Sequence, residues 1–177
     1  SDEFLVKEGL WKNRRLFELY EEAATPWEWH EKLYSHAKEV GISIFSTPFD
    51  FSAVDFLENL ESKAYKIASP EIVDLPLIEK VSFTGKPIII STGASSISEI
   101  SEAVAVIKRS GNCKLMLLHC TAAYPAPLNE ANLSTMKFLS DKFDVEVGLS
   151  DHTLGTICAI TAVSLGASLI EKHFTLS

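Results

Sequence analysis

The sequence predicts an α/β fold: a parallel (β/α)8 TIM barrel, of which this chain carries about six of the eight βα units. Three observations predict it. Six largely apolar, strand-like runs alternate with helical patterns, the signature of a parallel sheet with right-handed crossovers. Polar residues close nearly every run: Thr47, Ser69, Ser91 and Thr92, His119, Ser150 and His152, and Glu171 and His173. A site fed by every strand end is the barrel arrangement. No glycine-rich dinucleotide turn follows the first run, as a doubly wound sheet would often show.

The elements follow in order. Residues 10–20 are aromatic-rich and read as a short helix, with Trp27 and Trp29 close behind; these aromatics are expected to pack on the barrel's outer face. Residues 26–40 form a helix with Thr25 as N-cap, Pro26 at its first position, Glu28 completing a capping box and Gly41 as the stop. Strand 42–47, helix 51–60, strand 64–69, helix 74–83 and strand 87–93 come next. Helix 96–110 repeats the capping device, with Ser96 and Glu99 as the box and Gly111 as the stop. Strand 114–120, helix 129–142, strand 145–151, helix 154–165 and strand 168–174 complete the alternation. A closed barrel typically needs about 250 residues. Two βα units are therefore expected ahead of residue 1 and one helix after residue 177.

Composition narrows the function. With 46% hydrophobic and 23% charged residues, neither disorder nor a membrane span is expected. A net charge of −8 argues against nucleic acid as a partner, and an anionic substrate would need locally supplied cations and amides. Cys113, Cys120 and Cys158 form no CxxC pair, which argues against structural zinc and for reduced thiols in a cytoplasmic protein. Ser1-Asp2-Glu3-Phe4 has no signal-peptide character.

Four clusters carry candidate chemistry. Alternation puts Ser150 and His152 on one face of their strand, and Glu171 and His173 on one face of theirs. Two strands that each end in a histidine suggest a metal site at the barrel mouth; two unrelated histidines capping strands are the plain alternative. Lys66 lies inside an apolar strand and needs a partner, either an anionic ligand or a carboxylate such as Glu79 or Asp74. The run Ser91-Thr92-Gly93-Ala94-Ser95-Ser96 leads from a strand to a helix N-terminus, a natural phosphate cradle. Tyr124 follows a strand end and either lines a substrate pocket or packs over the mouth.

Six strings together resemble the sialic acid synthase family, which includes the N-acetylneuraminate, legionaminate and pseudaminate synthases. They are Phe45-Ser46-Thr47-Pro48-Phe49-Asp50, Tyr65-Lys66-Ile67-Ala68-Ser69, Lys86-Pro87-Ile88-Ile89-Ile90-Ser91-Thr92-Gly93, Leu118-His119-Cys120-Thr121, Gly148-Leu149-Ser150-Asp151-His152-Thr153 and Glu171-Lys172-His173-Phe174-Thr175. They stand in the family's order. The front segment, from Leu10-Trp11 to Trp29-His30, looks most like the pseudaminate branch. The resemblance implies condensation of phosphoenolpyruvate with the open-chain aldehyde of an N-acetylated amino sugar, giving a nine-carbon keto sugar acid and phosphate. It implies a divalent ion, Mn2+ or Mg2+, on His152 and His173. It matches Thr47, Lys66, Ser69, Ser91 and Ser150 to phosphoenolpyruvate, Tyr124 to the sugar, and Glu171 to proton transfer or water attack beside the metal. It further implies a homodimer at full length and a C-terminal antifreeze-like domain outside these residues. One departure stands out: Ala122 occupies the place of an asparagine in N-acetylneuraminate synthases, consistent with a deoxygenated sugar.

Three other readings compete. A barrel making a seven- or eight-carbon keto acid phosphate would want arginines at the mouth, whereas the arginines here are Arg14, Arg15 and Arg109. A non-catalytic sugar-binding barrel would not need the lysine, hydroxyl and histidine set. Aldolase chemistry would release no phosphate.

Overall fold

Aliphatic runs with little charge form the centre of the molecule. In a computed structural model, which describes residues 5–7 and 11–175, they become strands β1 (Tyr65–Ile67), β2 (Ile88–Ser91), β3 (Leu115–Cys120), β4 (Glu146–Asp151) and β5 (Ile170–Lys172). All neighbours pair in parallel, in the sequential order β1-β2-β3-β4-β5. A doubly wound sheet would reverse its order at a switch point, and this one does not.

The chain divides into two units, residues 1–43 and residues 44–177. The first contains α1 (Leu16–Ala23) and α2 (Trp27–Val40), with an antiparallel bridge between Leu5 and Arg15. The predicted capping box of α2 does not form. The helix starts one residue later than predicted: Pro26, at φ −56° and ψ 137°, is the N-cap, and its ring carries no oxygen to accept from the first turn. Gly41 stops α2 in left-handed conformation as expected. The front helix begins at Leu16, later than predicted; Leu10, its expected start, lies outside the described residues. Trp11, Phe17, Tyr20, Trp27 and Trp29 are all exposed, so the burial predicted for them is not observed.

In the second unit, α3 (Phe51–Asn59), α4 (Leu75–Ser82), α5 (Ile97–Arg109), α6 (Thr135–Phe143) and α7 (Ile157–Ser164) alternate with the strands. The core lies between helices and sheet. Val54, Leu57, Leu77, Ile78, Val81, Ile107, Met136 and Leu139 meet Tyr65, Ile67, Ile90 and Leu117, all almost fully enclosed. Each such aliphatic side chain contributes about 1.5–3 kcal/mol relative to exposure.

Three boundaries differ from the prediction. Residues 42–47 form no strand: Ser46 makes a single parallel bridge to Tyr65, and Pro48, which has no N–H, stops the ladder. Among the described residues the sheet therefore has five strands rather than six. The helix expected from residue 129 begins at Thr135, because Asn132 adopts positive φ and interrupts it after a 3-10 turn at Leu128–Glu130. Gly155, at φ 78°, likewise delays α7 to Ile157. Among the described residues no helix is long and apolar enough to cross a membrane.

Candidate active site

Register decides which strand residues face the same way. Lys66 pairs with Ile89, Ser91 with Leu118, Leu118 with Gly148, Cys120 with Ser150 and Ser150 with Glu171. Alternation then places Lys66, Ser91, Cys120, Ser150 and Glu171 on one face. That face opens on a cavity of about 450 Å3, which Lys66, Ser69, Ser91, Tyr124, Ser150, His152, Glu171 and His173 all line. The volume suits a small-molecule site. Eight of the nine predicted site residues thus come together. The ninth, Thr47, is half-buried beside the Ser46–Tyr65 bridge and is not part of the cavity wall.

Lys66 is buried, 8% exposed, and its ammonium donates to Ser91 Oγ at 2.7 Å and to the Ile67 carbonyl at 3.1 Å. Glu171 Oε2 stands 3.4 Å away, within ion-pair range, yet that oxygen is buried and accepts no hydrogen bond. Neither carboxylate expected as a partner serves: Asp74 caps α4 by accepting from Leu77 N–H at 3.1 Å, and Glu79 is exposed. Burial pushes the Lys66 pKa below the ordinary lysine range, against the opposing pull of Glu171. A desolvated cation beside an unsatisfied carboxylate oxygen is a polar centre prepared for a ligand.

The histidines stand just beyond β4 and β5. His152 Nδ1 donates to the Thr121 carbonyl at 3.0 Å, which leaves Nε2 as the lone-pair nitrogen. The two rings lie edge to face with centroids 5.5 Å apart, and Tyr124 stacks on His152 at 4.0 Å. Two neighbouring imidazoles are a donor set that suits a divalent ion. Among the described residues no cluster of three or more His, Cys, Asp or Glu is arranged to hold a metal, so further ligands would come from substrate or water.

Two expectations need correction. His119 does not join the site: it lies on the opposite face, where Nε2 donates to the Ala131 carbonyl at 2.7 Å, and burial lowers its pKa. The phosphate cradle is largely closed. Gly93 N–H already donates to Ser69 Oγ at 2.9 Å, and Ser96 N–H donates to Glu99 Oε2 at 2.7 Å. The capping box itself thus puts a carboxylate where an anion would sit at the start of α5.

Three participants escaped sequence reasoning. Cys120 lines the cavity, with Sγ 3.9 Å from His152 Nδ1; its parity with Leu118 rather than with His119 was the available signal. Gly93 leaves the cavity open, since a Cβ there would meet Cys120 Sγ at 2.9 Å and Ser69 Oγ at 3.0 Å. Glu71, on the 3-10 turn Ser69–Val73, keeps Oε2 buried without a hydrogen-bond partner, and burial raises its pKa.

The NeuB family model matches residues 1–177, the whole chain. This chain belongs to the NeuB family. Pseudaminic acid synthase of Helicobacter pylori is 47% identical over 177 residues, all of this chain and 52% of the relative. N,N'-diacetyllegionaminic acid synthase of Campylobacter jejuni is 48% identical over 149 residues, 83% of this chain and 45% of the relative. Among solved structures, N-acetylneuraminic acid synthetase of Leptospira borgpetersenii, in complex with citrate, superposes with a TM-score of 0.87 at 34% identity, covering 90% of this chain and 56% of that one. The chain therefore spans about half the length of the family members it matches. Its family is one of sialic-acid-type synthases, and the half it spans includes the lysine, hydroxyl and histidine cluster.

Proposed function

We propose that this chain is part of a complete (β/α)8 barrel that condenses phosphoenolpyruvate with 2,4-diacetamido-2,4,6-trideoxy-altrose, giving pseudaminate and inorganic phosphate. The observation that carries the reading is the buried Lys66, held by Ser91 and faced by Glu171, in the same cavity as His152 and His173. The match to the Helicobacter protein runs through the front segment and supports the pseudaminate branch. Ala122, which offers no amide on the cavity wall, supports a sugar lacking one hydroxyl.

Lys66, Ser69, Ser91 and Ser150 bind the phosphate and carboxylate of phosphoenolpyruvate. Tyr124 covers the sugar. His152 and His173 would hold Mn2+ or Mg2+, which when bound would polarise the aldehyde as a Lewis acid. The enol π pair of phosphoenolpyruvate forms the new bond from carbon 3 to the aldehyde carbon, and the carbonyl π pair moves to the aldehyde oxygen, which takes up a proton to become a hydroxyl. Positive charge develops at carbon 2, and Glu171 favours it electrostatically. Water adds to carbon 2, giving up a proton toward Glu171. The bond from carbon 2 to the phosphate oxygen then breaks, phosphate leaves with the electron pair, and the carbon 2 hydroxyl gives up its proton to become the keto group. Lys66 holds that departing charge.

The test is phosphate release with Mn2+, phosphoenolpyruvate and a panel of sugars: N-acetylmannosamine and the 2,4-diacetamido-2,4,6-trideoxy sugars of the altro and manno series. Release with the altro sugar alone is expected. Release with the manno sugar alone would reassign the legionaminate branch. No release with any sugar would overturn the reading.

A further inference from the structure

The back of the histidine strands carries a polar cluster that touches nothing in the cavity. Asp151 pairs directly with Lys172 in the β4–β5 register, one step beyond Ser150 and Glu171. Alternation turns both away from the site. The Asp151 side chain is fully enclosed, at 0% exposure, and that of Lys172 is 34% exposed. Lys172 Nζ donates to Asp151 Oδ2 and to the Thr153 carbonyl, both at 2.8 Å. Asp151 Oδ1 accepts from Thr153 N–H at 2.9 Å and from Thr153 Oγ1 at 2.7 Å.

The order along the chain gives this cluster its leverage. Asp151 and Thr153 flank His152, and Lys172 sits between Glu171 and His173. One ammonium therefore ties the residues on both sides of one histidine, through the Asp151 carboxylate and the Thr153 carbonyl, to the strand that carries the other. Ala126 N–H adds a further hold, donating to the His152 carbonyl at 2.9 Å. The strands are also brought close: a Cβ on Gly148 would meet the Leu169 carbonyl oxygen at 2.4 Å. A buried ion pair is weak evidence for stability, and its best-attested use is to specify register.

We propose that Asp151, Lys172 and Thr153 form a positioning clamp that sets the separation and mutual orientation of His152 and His173. The clamp acts through the backbone and touches no substrate. Its metal-binding consequence rests on the reading of the two histidines as ligands, but the ring geometry does not. Charge alone predicts something different. Removing the Lys172 cation would strengthen binding of a dication nearby, whereas loosening the clamp weakens it.

The experiment has two arms on the full chain. The first records the cross-relaxation peak between the His152 and His173 ring protons in metal-free protein. The second titrates Mn2+ by its electron paramagnetic resonance signal. The variants are Lys172→Met, Lys172→Arg and Asp151→Asn, with His173→Ala as control. Lys172→Met and Asp151→Asn are expected to lose the inter-ring peak and to raise the Mn2+ Kd by about tenfold. Lys172→Arg is expected to restore both. If the buried Asp151→Asn variant does not fold, the partly exposed Lys172 position decides. A folded Lys172→Met protein with an unchanged inter-ring peak would overturn the clamp, whatever its Mn2+ affinity. Equal Mn2+ uptake by wild type and His173→Ala would remove the metal reading alone, and the ring peak would still decide the clamp.

Discussion

The two sides of the strand ends use polar residues in opposite ways. On the cavity side, Glu171 Oε2 accepts no hydrogen bond and Lys66 is desolvated beside it. On the back, Asp151, Lys172 and Thr153 satisfy one another completely around one buried carboxylate. The same contrast separates His119 from His152. Both end a strand, but His119 is buried against the Ala131 carbonyl, while His152 keeps a nitrogen toward the cavity. Buried polarity that is fully paired fixes geometry; buried polarity left short of partners marks where a ligand completes the set.

The contrast can be broken most severely at Lys66. Lys66→Met should lower kcat/KM for phosphoenolpyruvate by at least about 100-fold, as loss of a fixed charge-stabilising donor does. Steady-state phosphate release at saturating sugar measures it. In the wild type, burial depresses the Lys66 pKa, so the ammonium is lost as pH rises through a value below the ordinary lysine range. Phosphoenolpyruvate affinity should fall over that alkaline window, and a profile flat through it would refute the assignment. Ser91→Ala removes only the acceptor at 2.7 Å and should cost roughly tenfold in the same assay.

Two glycines sharpen the comparison. Gly148→Ala forces a Cβ toward the Leu169 carbonyl and should destabilise the fold by about 1–3 kcal/mol, read from urea unfolding. Gly93→Ala instead intrudes on Cys120 and Ser69 at the cavity wall. It should raise KM for phosphoenolpyruvate more than it alters the unfolding midpoint. The opposite pattern would mean that Gly93 serves packing rather than the site.

The smallest effect is expected at His119. Its folded pKa lies below the unfolded value of about 6.5, so the unfolded chain takes up the proton first on acidification. The stability tied to the neutral ring is present above that value and is lost as pH falls through it toward the folded pKa. His119→Asn should flatten the dependence of unfolding free energy on pH in that window. Equal slopes for variant and wild type would show that the ring is not titrating as described.

Much of this was legible in the chain. Apolar runs at regular spacing marked β1 to β5, and Ser96 with Glu99 and Gly41 marked helix ends correctly, because those signals act within a few residues. The failures have the same origin. Asn132 and Gly155 delay two helices through positive φ, and Pro48 denies residues 42–47 a ladder, effects that a hydrophobic pattern does not contain. At the site, period-two alternation grouped Ser150 with His152 and Glu171 with His173. Strand parity separated Cys120 from His119, but only the register with β4 decided that Cys120 would face them.

The sequence by itself determined most element types, the parallel alternation and the residue chemistry at each strand end, since propensity, capping and hydrophobic period are local properties. Only the tertiary structure decided that Glu171 would be the partner of Lys66, 105 positions away by numbering (171 − 66), and that Lys172 would lock onto Asp151 behind the histidines. Those pairings depend on strand register and on which face each strand turns inward. Register is set by how the whole sheet packs against its helices, and no local stretch of chain encodes it.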